Sequence, residues 1–225
     1  KKNFKNYNLV KIPTIYNDRC TTNSIVMEYI DGFNISDIED TDKNKFMNIM
    51  GHVMIHSLVV HGFFHCDAHA GNILFIKDED VCQICLIDFG ICGMYNIKEL
   101  NNYYDIFTVI GRNNYDEVAK LFLTNFTDCP SNHKDYDLIF REAKNLLHDS
   151  FELKKEFSFS EIYTLYSILK KYDIYTNESW MKTELAIASI DGCMKELKHN
   201  DIGLTDILKQ KINELNELEN SELLN

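Results

Sequence analysis

The chain has 225 residues, 45% hydrophobic and 26% charged, a globular composition with enough apolar mass for a sizeable core. Lys and Arg number 23 against 35 Asp and Glu, a formal net charge of −12, so the basic face that nucleic acid demands and the polybasic tract that an anionic membrane attracts are both missing. No run of about 18 apolar residues is present to span a bilayer, and seven scattered cysteines without a compact framework fit reduced thiols in an intracellular setting.

The first residue is Lys1 and no secretory apolar region follows it, so the sequence is expected to be a piece of a longer protein. Ser24–Ile30, a short β-branched run halted by the turn pair Asp31-Gly32, predicts a strand. Phe46, Ile49, Met50, Val53 and Val60 recur at helical spacing and predict a helix over residues 42–61, stopped by Gly62. Two apolar runs, 72–76 and 82–87, flank Lys77-Asp78-Glu79-Asp80 and predict a hairpin with an acidic turn. Beyond Gly93 the pattern is helical, with helices near 98–111, 113–125, 134–155, 159–172, 178–198 and 203–220. The last carries Ile207, Leu208, Ile212, Leu215 and Leu218 and is expected to pack on its own domain, with the acidic stretch from Asn213 as a solvated face.

Three segments carry the chemistry. They are Ile25-Val26-Met27-Glu28-Tyr29-Ile30-Asp31-Gly32, then His65-Cys66-Asp67-Ala68-His69-Ala70-Gly71-Asn72, then Leu86-Ile87-Asp88-Phe89-Gly90. Phosphoryl transfer needs an acidic group to orient the nucleophile and take its proton, and oxygen ligands to hold Mg²⁺ against the phosphates. Asp67 suits the first task; Asn72 and Asp88 suit the second. A hairpin between Asn72 and Asp88 returns the chain to its starting edge and so brings the two ligands together. Gly90 permits the sharp turn a metal-facing Asp requires. Each motif alone is weak, and the order H-x-D-x-x-x-x-N, hairpin, D-F-G is the specific signal.

Gly62 to Asn72 resembles the catalytic loop of the UbiB (aarF-domain) family of atypical kinases, whose pattern is H-x-D-x-H-x-G-N; His69 and Gly71 separate it from ordinary protein kinases. Asp88-Phe89-Gly90 followed by Gly93 is similar to that family's metal-binding segment, and Asp191-Gly192 within Ala186 to Leu197 resembles its late helix. Family members carry Pro where this chain has Ala68 and Ala70, which loosens the loop without removing a ligand. The resemblance implies a mostly α, α+β fold: a protein-kinase-like C-lobe with a small β hairpin at the nucleotide edge and the N-lobe absent from this chain. Residues 1–32 would be the end of the N-lobe and the hinge strand, 33–97 the catalytic and metal-binding core, and 98–225 a helical subdomain. It further implies ATP and Mg²⁺, with Asp67 as base, His65 bracing the loop, and Asn72 and Asp88 on the metal. Met27 would sit at the back of the adenine pocket, the backbone of Glu28 and Ile30 would bond the base, and Leu74 would floor it.

Only Ile91 to Ile97 separate Gly90 from the next helix, too short for a peptide-binding activation segment. A small-molecule or isoprenoid-lipid substrate, the latter tied to the similar family, or plain ATP hydrolysis is therefore expected over peptide phosphorylation. Residues 1–23 contain no glycine, and Lys1, Lys2, Lys5 and Lys11 lie in a polar stretch without the strand-borne lysine that pairs the phosphates. That gap leaves a pseudokinase acting as a scaffold as the alternative. A small-molecule kinase of the aminoglycoside/choline type shares H-x-D-x-x-x-x-N, and His69 and Gly71 point away from it. Zinc at His65, Cys66 and His69 lacks further ligands at sensible spacing. Cys82 and Cys85 read as core thiols, Phe89 and Trp180 as core, and His52, His56 and His61 as packing or surface residues.

Overall fold

The computed structural model describes residues 2–5, 7–79, 81–154, 159–197 and 204–222. The long helix α1 (Asp40–Ile55) is the spine, because Phe46, Met50, Val53 and Met54 project from one side at helical spacing and are all buried. It runs on as a wider π turn over His56–His61 and stops at Gly62, whose φ of +60° is the left-handed conformation a glycine stop supplies.

The hairpin of β3 (Ile73–Asp78) and β4 (Val81–Leu86) lies on this spine, with Phe46 edge-on to Phe75 at 4.7 Å between ring centroids. Asp78 pairs directly with Val81, so the turn is tighter than the four residues read from sequence; residue 80 lies outside the described residues. Cys82, Ile84, Cys85 and Leu86 of β4 are all buried, which is why that strand reads as a continuous apolar run and why both cysteines are core thiols. Burial pushes the Cys85 thiol up to about 11.

Three strand assignments depart from expectation. Val10–Lys11, read as polar coil, forms β1 and pairs in parallel with Ile84–Cys85, a contact too distant in sequence for local pattern to reveal. Ser24–Ile30 is not a strand: it makes only isolated bridges, Ser24 with Thr21 and Met27 with Ile15, the latter through Tyr16 N–H to the Val26 carbonyl (2.9 Å) and Glu28 N–H to the Thr14 carbonyl (2.8 Å). Its partner is cut short at Pro13, which has no amide to extend a ladder. The unforeseen pair β2 (Phe63–His65) and β5 (Cys92–Met94) is antiparallel, with Phe64 opposite Gly93.

The helices follow as α2 (Ile97–Gly111), α3 (Tyr115–Phe126), α4 (Tyr136–His148), α5 (Phe159–Lys170), α6 (Glu178–Leu197) and α7 (Leu204–Glu222). A π turn (Asp149–Lys154) continues α4. Parts of the expected spans at 155, 198 and 203 lie outside the described residues. Tyr95 stacks on Tyr103 at 4.2 Å, and Trp180 packs against Phe122 and Phe126, so the aromatic residues form the helical core. Helix α7 does pack on its own domain: Ile207 sits directly over Gly51 of α1 and Ile212 over Gly111 of α2, so neither glycine has room for a Cβ. Among the described residues no helix is long and apolar enough to cross a membrane.

His52, His56 and His61 form a packed nest under the N-terminal segment. The rings of His52 and His56 lie 4.1 Å apart, Tyr7 OH bonds His56 Nδ1 at 2.7 Å, and Phe4 stands edge-on to His61. His52 Nε2 and His61 Nε2 are buried without a partner among the described residues. Burial pushes all three rings below the usual histidine range, His56 to about 4, with Lys211 and Glu214 of α7 the charged groups facing them. Above pH 6.5 both folded and unfolded rings are neutral; between 6.5 and about 4 the unfolded His56 takes a proton the folded ring refuses, so stability falls with pH. Buried Glu184, held by Tyr166 and Trp180 and pushed up to about 7 by desolvation, acts in the opposite sense, so only a variant isolates the nest. His56→Gln is expected to lose less stability than wild type between pH 7 and pH 5, read from denaturant midpoints; equal losses would remove the nest from the acid response.

Candidate active site

The loop after β2 is held from three sides. Cys66 N–H donates to the Ile91 carbonyl (3.0 Å), and Ser189 Oγ and Cys193 Sγ, one turn apart on α6, donate to the carbonyls of Cys66 (3.2 Å) and Ala68 (3.5 Å). Ala68 is buried under this brace, so outside contacts fix the backbone there. The late helix is thus joined to the loop, and its Asp191 is buried and ion-paired with Lys195 at 2.9 Å.

His65 is the cross-tie. Its Nδ1 accepts the Asp67 amide (3.0 Å), so in the neutral ring the proton sits on Nε2, which donates to the Ile87 carbonyl (3.1 Å) immediately before Asp88. The Ile87 amide in turn donates to the Asn72 carbonyl at 3.0 Å. Both ring nitrogens of His65 are therefore committed, and burial pushes the Cys66 thiol up to about 11, an arrangement unsuited to zinc.

Asn72 closes the loop. Its Nδ2 donates to the Asp67 carbonyl (2.9 Å) and to Asp67 Oδ2 (3.4 Å), which leaves Oδ1 as the acceptor end. Asp88 adopts φ +55°, a left-handed conformation that Asp tolerates better than most residues, and its Oδ1 accepts the Gly90 amide at 3.1 Å. The two oxygen donors line one open cleft of about 710 Å³. The same cleft is lined by the apolar Ile12, Pro13, Ile15, Ile25 and Met27.

The structure therefore brings together His65, Asp67, Asn72 and Asp88, with Met27 in the same cleft as Asn72 and Asp88. Glu28 follows Met27 with its side chain turned to Lys11 Nζ (3.0 Å) and the Thr14 amide (3.1 Å), contacts that hold its carboxyl down at about 2. Ile30 is buried, and Leu74 is half-buried on β3 against Gly32; neither lines the cleft. Phe89 is not core: it is 41% exposed, lines the cleft and stands 5.2 Å from the His65 ring. Sequence reading missed Ile12, Pro13 and Ile15, for which the proline at a strand edge was the available signal, and Ser189 and Cys193, which have none. Among the described residues no group of three or more His, Cys, Asp or Glu forms a metal cage.

The β2–β5 pair carries His65, and a Cβ on Gly93 would fall inside the Phe64 ring. Gly93→Ala is expected to cost about 1–3 kcal/mol in chemical denaturation. Combined with Phe64→Ala it should add less than the sum of the two single losses.

Comparison with known proteins agrees in direction. The model of the ABC1 atypical kinase-like domain matches residues 1–122, which contain every donor of the cleft. The "Probable protein kinase UbiB" of Photorhabdus laumondii subsp. laumondii is 26% identical over 206 residues, covering 88% of this chain and 37% of that protein. The chain thus spans little more than a third of that relative's length. Among solved structures, the Rio2 kinase–ADP/Mg²⁺–phosphoaspartate complex from Chaetomium thermophilum aligns at 16% identity with a TM-score of 0.34, covering 72% of this chain and 48% of that one.

Proposed function

The chain belongs to the ABC1 atypical kinase-like family, and from that membership we propose that it is the large lobe of a Mg²⁺- and ATP-dependent phosphotransferase or ATPase. The observation that carries the reading is that Asn72 and Asp88 line one cleft together with apolar residues, while Asn72 Nδ2 holds Asp67 beside it. The cleft volume of about 710 Å³ suits a nucleotide.

The donor set fits the metal. Asn72 and Asp88 offer hard oxygen, and two protein ligands instead of a full cage suit an ion shared with substrate phosphates. When bound, Mg²⁺ supplies neutralisation of the phosphate charge. Asp67 takes the proton of the acceptor hydroxyl, or of water, as the new oxygen–phosphorus bond forms and ADP departs. Asn72 Nδ2 keeps the Asp67 carboxylate turned to this task, and His65 fixes the spacing between base and metal ligand. Ile15, Ile25 and Met27 hold the face of the base, whereas Ile30 and Leu74, which do not line the cleft, are not placed to bond its edge or floor it.

The acceptor is not a peptide segment in this reading. Gly90 and the start of α2 at Ile97 are joined by a stretch already spent on β5, which leaves no platform. Beside it, Phe63, Ile91, Met94 and Ile97 are exposed apolar residues, a surface suited to a small hydrophobic or isoprenoid-lipid acceptor. Asp88→Asn and Asp67→Asn in the full-length protein are each expected to lower MgATP turnover about 100-fold or more with the fold intact. An unchanged rate in Asp88→Asn would end the metal-ligand assignment, and a wild type without turnover would favour a scaffold.

A further inference from the structure

Two histidines of one loop share a tautomer and differ in what they do with it. In both His65 and His69 the Nδ1 atom accepts a backbone amide two residues on, from Asp67 (3.0 Å) and from Gly71 (3.0 Å). Each neutral ring therefore carries its proton on Nε2. His65 is buried and its Nε2 is bonded to the Ile87 carbonyl. His69 is exposed, and the nearest acidic oxygen to its Nε2, Asp67 Oδ2, stands 3.8 Å away, beyond hydrogen-bond reach. A directed donor is left beside the carboxylate that would take the acceptor's proton.

Gly71 is shaped to this ring. A Cβ there would lie 2.9 Å from His69 Cε1 and 3.1 Å from Nδ1, so only glycine lets the imidazole lie over the turn that supplies its amide. The Asn72 amide donates to the His69 carbonyl at 2.9 Å and anchors the same residue through its backbone. The spacing H-x-G-N is then one device: the glycine sets tautomer and ring plane, and the asparagine sets position.

We propose that His69 Nε2–H is a hydrogen-bond donor to an oxygen of the phosphoryl group transferred at Asp67, and that Gly71 serves to fix that donor. The inference rests on the phosphotransferase reading above. The acceptor's O–H proton passes to Asp67, the acceptor oxygen bonds to the γ-phosphorus, and the bond to the β,γ-bridging oxygen breaks with its electron pair leaving on ADP. His69 keeps its proton throughout and stabilises charge on the phosphoryl oxygens, a contact that strengthens toward the transition state.

The test is made in the full-length protein with MgATP. Gln places an amide N–H donor near where His69 Nε2 stands, whereas Asn offers only an acceptor near Nδ1. His69→Ala and His69→Asn are expected to lower kcat about 100-fold with KM for ATP changed less than about threefold, while His69→Gln stays within about tenfold of wild type. Nitrogen-15 spectra of the imidazole should report the Nε2–H tautomer in wild type and its loss in Gly71→Ala. If Asn restored turnover as well as Gln, His69 would only anchor the loop and the donor role would fall. A wild-type ring protonated at Nδ1 would overturn it equally. The wild-type rate separates the two ideas: wild-type turnover lost in Asp88→Asn but kept in full by His69→Ala removes His69 alone, whereas a wild type without MgATP turnover removes the phosphotransferase reading.

Discussion

The His65 imidazole is the link on which the site depends. One ring nitrogen receives the amide of Asp67 and the other bonds the carbonyl before Asp88, so a single buried side chain spans the loop that carries Asp67 and the strand end that carries Asp88. The Ile87–Asn72 backbone bond lies in parallel with it. A loop fixed by one contact swings; a loop fixed by a rigid ring and a backbone bond has a defined distance between its functional groups. Such preorganisation matters most for phosphoryl transfer, where the protein's contribution is placement and charge.

That link works because the scaffold delivers its two ends to the same place. Helix α1 buries one face, ends at the left-handed Gly62 and releases β2, which brings His65 to the surface of the spine. The β3–β4 hairpin leaves from Asn72 and returns at Ile87, with Ile73 opposite Leu86, so hairpin closure and site closure are the same event. From behind, α6 reaches the loop carbonyls through Ser189 and Cys193, which makes the helical half of the chain a support for the loop, not a separate module.

The spine, the hairpin and the six later helices were legible because each is fixed by local periodicity that burial then rewards. So was the assembly of Asp67, Asn72 and Asp88, since a loop, a hairpin and a D-F-G in order leave the chain little choice. What was not legible is non-local. Strand β1 is two residues paired across more than 70 positions of sequence, and β2–β5 is three residues against three. The histidine nest requires Tyr7 and Phe4 to arrive from the far end of the chain. The spacing of His52, His56 and His61 fits packing, and nothing in it names those partners.

Two expectations at the cleft fail: the β-branched run Ser24–Ile30, ended by the turn pair Asp31-Gly32, predicts a strand, and the apolar character of Phe89 predicts core. Yet Ile25 is 73% exposed and Met27 and Phe89 are about half so, all three on the walls of one cleft. Asp88, which lines the same cleft, holds a left-handed backbone that local preference alone would avoid. Exposed apolar walls and a strained acidic residue lower stability when the cleft is considered alone, and both make sense when a planar apolar group and a bound cation complete the packing. In the proposed function a nucleotide would lie with its base toward Met27 and its phosphates toward Asn72 and Asp88, all of them residues of one cleft.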